Sequence, residues 1–205
     1  MLHRRSSQKM RSKLGLVIFV LGVAVSVAGC ASPPKTEIDA VKTSIDQAVS
    51  AGAGQYAADS LKSAQDAQGA LDAELKAQEG KWFPSYTKAT ELAAAAKAAG
   101  EKAVTDAAAG KEKTKAEAAT AITDAKALLT EAQDLLAKAP KGKGSAADIE
   151  AMKTDLANAA TAITDAEAAV GGERFLDAKA KAESAKTAAT TVKTAVETAM
   201  AAKKK

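Results

Sequence analysis

From Tyr86 to Ala107 the small and apolar residues recur in alternating steps of three and four: Tyr86, Ala89, Ala93, Ala96, Gly100, Ala103, Ala107. This spacing puts them on one stripe of an α-helix, the seam of a left-handed coiled coil or bundle. The stripe recurs along the chain. It runs through Ile38, Val41, Ile45 and Ala48, then Leu61, Ala64, Ala67, Leu71 and Leu75. It continues through Ile122, Ala125, Leu128 or Leu129, Ala132 and Leu136. Two further runs are Ile149, Met152, Leu156, Ala159, Ile163, Ala166, Val170 and Phe175, Ala178, Ala182, Ala185, Ala189, Val192, Val196. Strand-type alternation is absent. Alanine, the best helix former, supplies 52 of the 175 residues after Cys30. The predicted fold is all-α: an elongated antiparallel helical bundle of coiled-coil-like hairpins with Ala-rich seams. Alanine seams let helices approach closely but bury little area per residue, so stability rests on helix length and propensity.

Glycine and proline punctuate the pattern. Gly52 and Gly54 end the first helix, Gly80 ends the second, and Pro84-Ser85 opens a third, where a first-turn proline is tolerated. A Pro140–Gly144 loop follows, then Ser145 with Asp148 as a helix start, and Gly171-Gly172 turns the chain into the last helix. Gly110 leaves two outcomes open. Residues 85–138 form either two helices or one rod of about 80 Å.

Sliding the chain by 89 residues superposes two stretches. Ala57-Ala58-Asp59 falls on Ala146-Ala147-Asp148, Tyr86 and Ala89 fall on Phe175 and Ala178, and Ala93, Ala96, Lys97 fall on Ala182, Ala185, Lys186. The octapeptide AATAITDA also occurs twice, at 118–125 and 159–166. Convergent low complexity and true duplication both account for the alanines. The aromatics favour duplication, because only Tyr56, Trp82, Phe83, Tyr86 and Phe175 follow Cys30 and two of these coincide. Repeated helical hairpins build an extended surface rather than an enclosed pocket.

Five of the 29 basic residues precede Cys30 and none of the 25 acidic residues does, which leaves 24 against 25 in the body. The pI near 9.0 therefore belongs to the leader, and charge offers no case for nucleic-acid binding. The only His is His3 and the only Cys is Cys30. A body without thiol or imidazole has no Cys/His zinc site, no Cys or Ser-His nucleophile, no haem ligand and no disulfide. Residues 1–13 are basic, and 14–28 are an uncharged apolar run too short for a comfortable membrane span. That run ends in Val27-Ala28-Gly29-Cys30, which resembles a bacterial lipoprotein lipobox. The resemblance implies that Cys30 becomes the first mature residue and carries a diacylglyceryl group and an amino-terminal acyl chain. The alternative is an unmodified Cys at the end of a signal anchor. Ala31, where an Asp often signals inner-membrane retention in that family, implies sorting to the outer membrane. Ser32-Pro33-Pro34-Lys35 is then a short, stiff spacer.

A second resemblance covers roughly residues 36–110. The run Ala51-Gly-Ala-Gly-Gln-Tyr56-Ala57-Ala58-Asp59-Ser-Leu61-x-x-Ala64, followed by a helix, a turn and Tyr86-x-x-Ala89-x-x-Leu92-Ala93, resembles the uncharacterised bacterial lipoprotein family DUF4398. Ala58 stands where Pro is common in that family. The resemblance implies helical hairpins on an envelope lipoprotein and no particular activity. The resulting division is 1–29 signal peptide, 30–35 acylated terminus and spacer, 36–110 first helical unit, 111–202 second helical unit, and 203–205 Lys tail.

The carboxylates mostly alternate with lysines. Glu112, Lys113, Lys115, Glu117, Asp124 and Lys126 read as solvated helix faces with i,i+4 support, and an Ala seam offers no desolvated cleft for general acid/base work. The chain is expected to be non-enzymatic, with no metal and no cofactor beyond the covalent lipid. Trp82, Phe83 and Tyr86, grouped around Pro84-Ser85, are either a plug closing the hairpin end or an exposed anchor for a partner. Lys138, Lys141 and Lys143, and the tail Lys203, Lys204 and Lys205, either solubilise the chain and cap helix dipoles or meet an anionic surface such as wall polymer or phospholipid headgroups. The architecture also resembles the small Ala-rich outer-membrane lipoproteins that bridge to the cell wall. That resemblance implies covalent attachment of peptidoglycan at Lys205, although AMAAKKK lacks the aromatic and Arg that often precede the terminal Lys there. The sequence thus predicts a lipid-anchored tether or scaffold on the periplasmic face of the outer membrane, with peptidoglycan or an envelope protein as partner. The competing class is a chaperone-like binding module using the hairpins and the Trp82–Tyr86 cluster. The oligomeric state is open.

Overall fold

The seams become six helices: α1 (Lys35–Ser50), α2 (Ala53–Tyr56), α3 (Ala58–Glu79), α4 (Thr87–Ala137), α5 (Ser145–Gly171) and α6 (Phe175–Lys203). This computed structural model describes residues 32–139 and 145–203, and no strand occurs among them. The chain is all-α. α1 follows the Pro33-Pro34 spacer, with the Ile38 N–H donating to the Pro34 carbonyl at 3.0 Å and Glu37 in the first turn favouring the helix dipole. It ends where Gly52 adopts φ 82°, a left-handed turn that an L side chain would strain. Gly54 breaks nothing and lies within α2.

α4 settles the open question at Gly110. It is one uninterrupted helix of 51 residues, about 76 Å long. It starts later than the sequence suggests. Pro84 and Ser85 lie in the loop, Tyr86 is the N-cap, and Thr87 is the first helical residue. Tyr86 already stands in register with Ala89 and Ala93, so the helix opens where the seam opens and not at the proline.

Two sets of partners share α4. Along its first half, Ala89, Ala93 and Ala96 pack with Val41 and Ile45 of α1 and with Ala64 and Leu71 of α3. Ala103 and Ala107 then pack with Ala48 and with Ala53 of α2. The rising numbers on both sides make α1 parallel to α4. α3 is antiparallel: Ser60 hydroxyl donates to Asp106, and Lys88 meets Glu74 at 3.2 Å. Along the second half, Ala121, Ile122 and Ala125 pack with Ala159, Ile163 and Ala166 of α5 and with Ala182 and Ala185 of α6. Further on, Ala132 and Leu136 meet Leu156, Ala189, Val192 and Val196. Each half is an up-down-up three-helix bundle, and the change of partners falls between Ala107 and Ala118.

Two glycines in α4 let backbones touch. A Cβ on Gly100 would lie 2.8 Å from Ser44 Cβ, and one on Gly110 would collide with the Tyr56 carbonyl oxygen and lie 3.1 Å from its carbon. The 89-residue offset reappears in the packing. Ala89, Ala93, Ala96, Gly100, Ala103 and Ala107 of α4 are all buried, and so are their counterparts Ala178, Ala182, Ala185, Ala189, Val192 and Val196 of α6.

These registers fix where the chain enters and leaves the body. With Ser44 opposite Gly100, Lys35 lies level with Glu91, about 6 Å along the axis from the start of α4. The α3–α4 turn, residues 80–86, is at this same end. α6 runs parallel to α4, so Lys203 lies beyond Ala137 at the other end, about 70 Å from Lys35 by helical rise.

Candidate functional site

The α3–α4 turn holds the three aromatic residues singled out by the sequence. Trp82 is 89% exposed and Phe83 86% exposed. Tyr86 instead packs against the cluster of Val41, Ile45, Leu71 and Ala89. The plug reading is therefore corrected for Trp82 and Phe83. Only Tyr86 falls in the α4 seam register; the other two precede it in non-helical backbone, beyond the reach of the seam.

The base of the turn is closed by Gln78 and Glu74, which the sequence analysis did not single out. Gln78, in the last turn of α3, is only 6% exposed. Its amide Nε2 donates to Glu74 Oε1 at 2.5 Å, and its Oε1 accepts the Ser85 N–H at 3.1 Å. Glu74 also meets Lys88 of α4. The Gln78 hydrogen bond, followed by that of Lys88, holds the Glu74 carboxyl below its ordinary value. α3 and α4 are thus stapled across the turn, and the Trp82-Phe83 pair stands at a braced tip. The Gln78 bond to Glu74 has the i,i+4 spacing of a helix face, but its bond to Ser85, seven positions on and across the turn, is one that helical periodicity does not announce.

Carboxylates on these solvated faces also join α4 to its neighbours. Lys111 meets Glu173 at 2.7 Å, Lys179 meets Glu117 at 2.5 Å, Lys186 meets Asp124 at 3.2 Å and Lys193 meets Glu131 at 2.7 Å. All four pairs are 62 residues apart, and the last three step by heptads along both α4 and α6. This is the lateral charge register of a parallel coiled coil. Lys126 reaches Glu167 of α5 at 2.5 Å. The Lys179 hydrogen bond, then its charge, depresses the Glu117 pKa, opposite to the elevation that a general acid needs. At the top of α6, Phe175 is 4% exposed, with Lys111 Nζ 5.8 Å and Lys115 Nζ 5.9 Å from its ring centroid.

Grooves on the body are lined by scattered groups. One of about 710 Å³ runs along α6 beside Thr187, Thr190, Thr191, Thr194 and Thr198. Another, of about 430 Å³, follows the Glu117–Lys179 and Asp124–Lys186 pairs. Among the described residues no cluster of three or more His, Cys, Asp or Glu could hold a metal, and no helix is long and apolar enough to cross a membrane. Cys30, Lys141, Lys143, Lys204 and Lys205 lie outside the described residues, as does the side chain of Lys203, whose backbone closes α6. Lys138 is the C-cap of α4. No protein family, curated protein or solved structure matches the chain.

Proposed function

We propose that the protein is a lipid-anchored, non-enzymatic spacer of the bacterial envelope. In this reading it is acylated at Cys30, sits on the periplasmic face of the outer membrane and carries its Lys203–Lys205 tail toward the cell wall. The supporting observation is that the chain enters the helical body at one end and leaves at the other. Lys35 and Lys203 stand about 70 Å apart along a rod whose central helix never breaks. A rod with its lipid at one end and a cationic tail at the other suits a membrane-to-wall tether. The lipid supplies durable attachment, since several acyl chains hold a protein where one does not.

Co-sedimentation with detergent-washed sacculi tests this reading, comparing the full-length protein with a chain lacking Lys203–Lys205. Retention of the first and release of the second is the expected result. Release of both removes the tether and leaves capture of a partner protein. The exposure of Trp82 and Phe83 favours that second reading, an envelope binding module presenting an aromatic tip, because exposed Trp side chains are typical anchors in protein interfaces.

A further inference from the structure

We propose that the Trp82-Phe83 tip is a membrane foot, resting in the headgroup region of the leaflet that holds the acylated Cys30. This rests on the lipoprotein reading above and assigns the tip a lipid rather than a protein occupant. Position carries the inference. α1 is parallel to α4, so the chain enters the body at the end where the α3–α4 turn protrudes. Four residues lie between Cys30 and Lys35, and an extended chain covers at most about 18 Å over those five steps. Whatever surface holds the lipid is therefore held within reach of the tip.

The chemistry of the tip fits that surface. Trp82 and Phe83 are adjacent and almost fully exposed, an arrangement that costs solvation in water and suits the membrane interface, where aromatic side chains concentrate. The buried Gln78 staple to Ser85 and the Glu74–Lys88 pair brace the base of the turn, so little ordering remains when the tip docks. Charges at this end balance: Lys35, Lys76, Lys81 and Lys88 are matched by Glu37, Glu74, Glu79 and Glu91. Docking therefore draws on aromatic burial more than on attraction to anionic lipid and changes little with salt. The acyl chains keep the tip at high local concentration, so a weak intrinsic affinity is enough. Two points of attachment, lipid and foot, then set the inclination of the rod and direct its far end away from the bilayer.

Trp82 is the only tryptophan and reports this turn alone. The test places the full acylated protein in phosphatidylethanolamine/phosphatidylglycerol vesicles with brominated acyl chains, and reads the mass of the purified chain for acylation. The expected result is blue-shifted Trp82 emission, quenched by the brominated lipid and shielded from aqueous iodide, with Phe83→Ala weakening all three while leaving helicity intact. Solvent-like emission open to iodide, on acylated protein that remains with the vesicles, overturns the foot and leaves the anchor standing. A tip reserved for a protein partner gives that same outcome and overturns the inference equally. A mass without acyl chains removes the anchor reading and the foot with it.

Discussion

At the residue scale, the turn after α5 sets backbone geometry against side-chain preference. α5 ends in a Schellman arrangement: the Glu173 N–H donates to the Val170 carbonyl at 3.0 Å and the Arg174 N–H to the Ala169 carbonyl at 2.9 Å. The left-handed residue of such a cap is usually Gly. Here it is Glu173, at φ 57°, and the neighbouring Gly171 and Gly172 do not take that role. The side chain offers partial compensation by meeting Lys111 of α4, but the pair is exposed and screened by solvent, so its net contribution is small. Left-handed backbone costs a non-glycine residue about 1 kcal/mol. Glu173→Gly is therefore expected to raise stability by up to about 1 kcal/mol in urea unfolding, despite removing an ion pair. Gly69 and Gly110 make a sharper contrast, since both lie inside helices. A Cβ on Gly69 meets nothing within 4 Å, so Gly69→Ala is expected to gain about 1 kcal/mol from propensity. A Cβ on Gly110 collides with the Tyr56 backbone, which has no flexible end to move aside, so Gly110→Ala is expected to cost about 1–3 kcal/mol. Thermal melts of the two variants should shift in opposite directions. Sequence alone placed Gly110 as a possible break, because its purpose depends on a backbone 54 positions away.

At the element scale, the Ala seams of α4 and α6 bury every position that the 3-4 spacing marks between Ala89 and Ala107 and between Phe175 and Val196. Periodicity is a local property, and it was legible. The choice of partner helix is not local. Alanine seams are nearly interchangeable, so the register of α4 against α6 draws help from the charge ladder of Glu117, Asp124 and Glu131 with Lys179, Lys186 and Lys193. Replacing the three acids by Lys sets like charges against α6. It is expected to lower the urea midpoint, more at low salt than at high salt, and to be largely restored when the three lysines are also exchanged for Glu. Urea titration of the three proteins checks this. The pH dependence follows from the same pairs. The Glu117 and Glu173 pKa values are depressed from 4.5, chiefly by hydrogen bonds from Lys179 and Lys111. Their contribution is present above the unfolded value and is lost as pH falls through the folded one. Lys111 and Lys193 are raised from 10.5 by their hydrogen bonds to Glu173 and Glu131. Their contribution is complete below the unfolded value and disappears as pH rises through the folded one. Melting temperature is therefore expected to be flat between about pH 5 and 10 and to fall on both sides.

At the scale of the whole molecule, α4 is the common spine of two three-helix bundles. A compact domain of the body's length would have a radius of gyration near 16 Å, whereas a body about 76 Å long along its axis requires one above about 20 Å. X-ray scattering from residues 31–205 separates the two, and a value near the compact one would mean that α4 folds back in solution. The sequence by itself determined the helical class, the seams and most of the turns, because each is written in residues a few positions apart. It also marked Trp82, Phe83 and Tyr86 as unusual, without distinguishing plug from tip. Tertiary structure decided that α4 passes unbroken through Gly110, that Tyr86 turns inward while Trp82 and Phe83 stay in solvent, and that the chain enters and leaves at opposite ends. Those outcomes depend on which seam meets which and in what register, and that choice is made by shape at the glycines and by charges 62 residues apart.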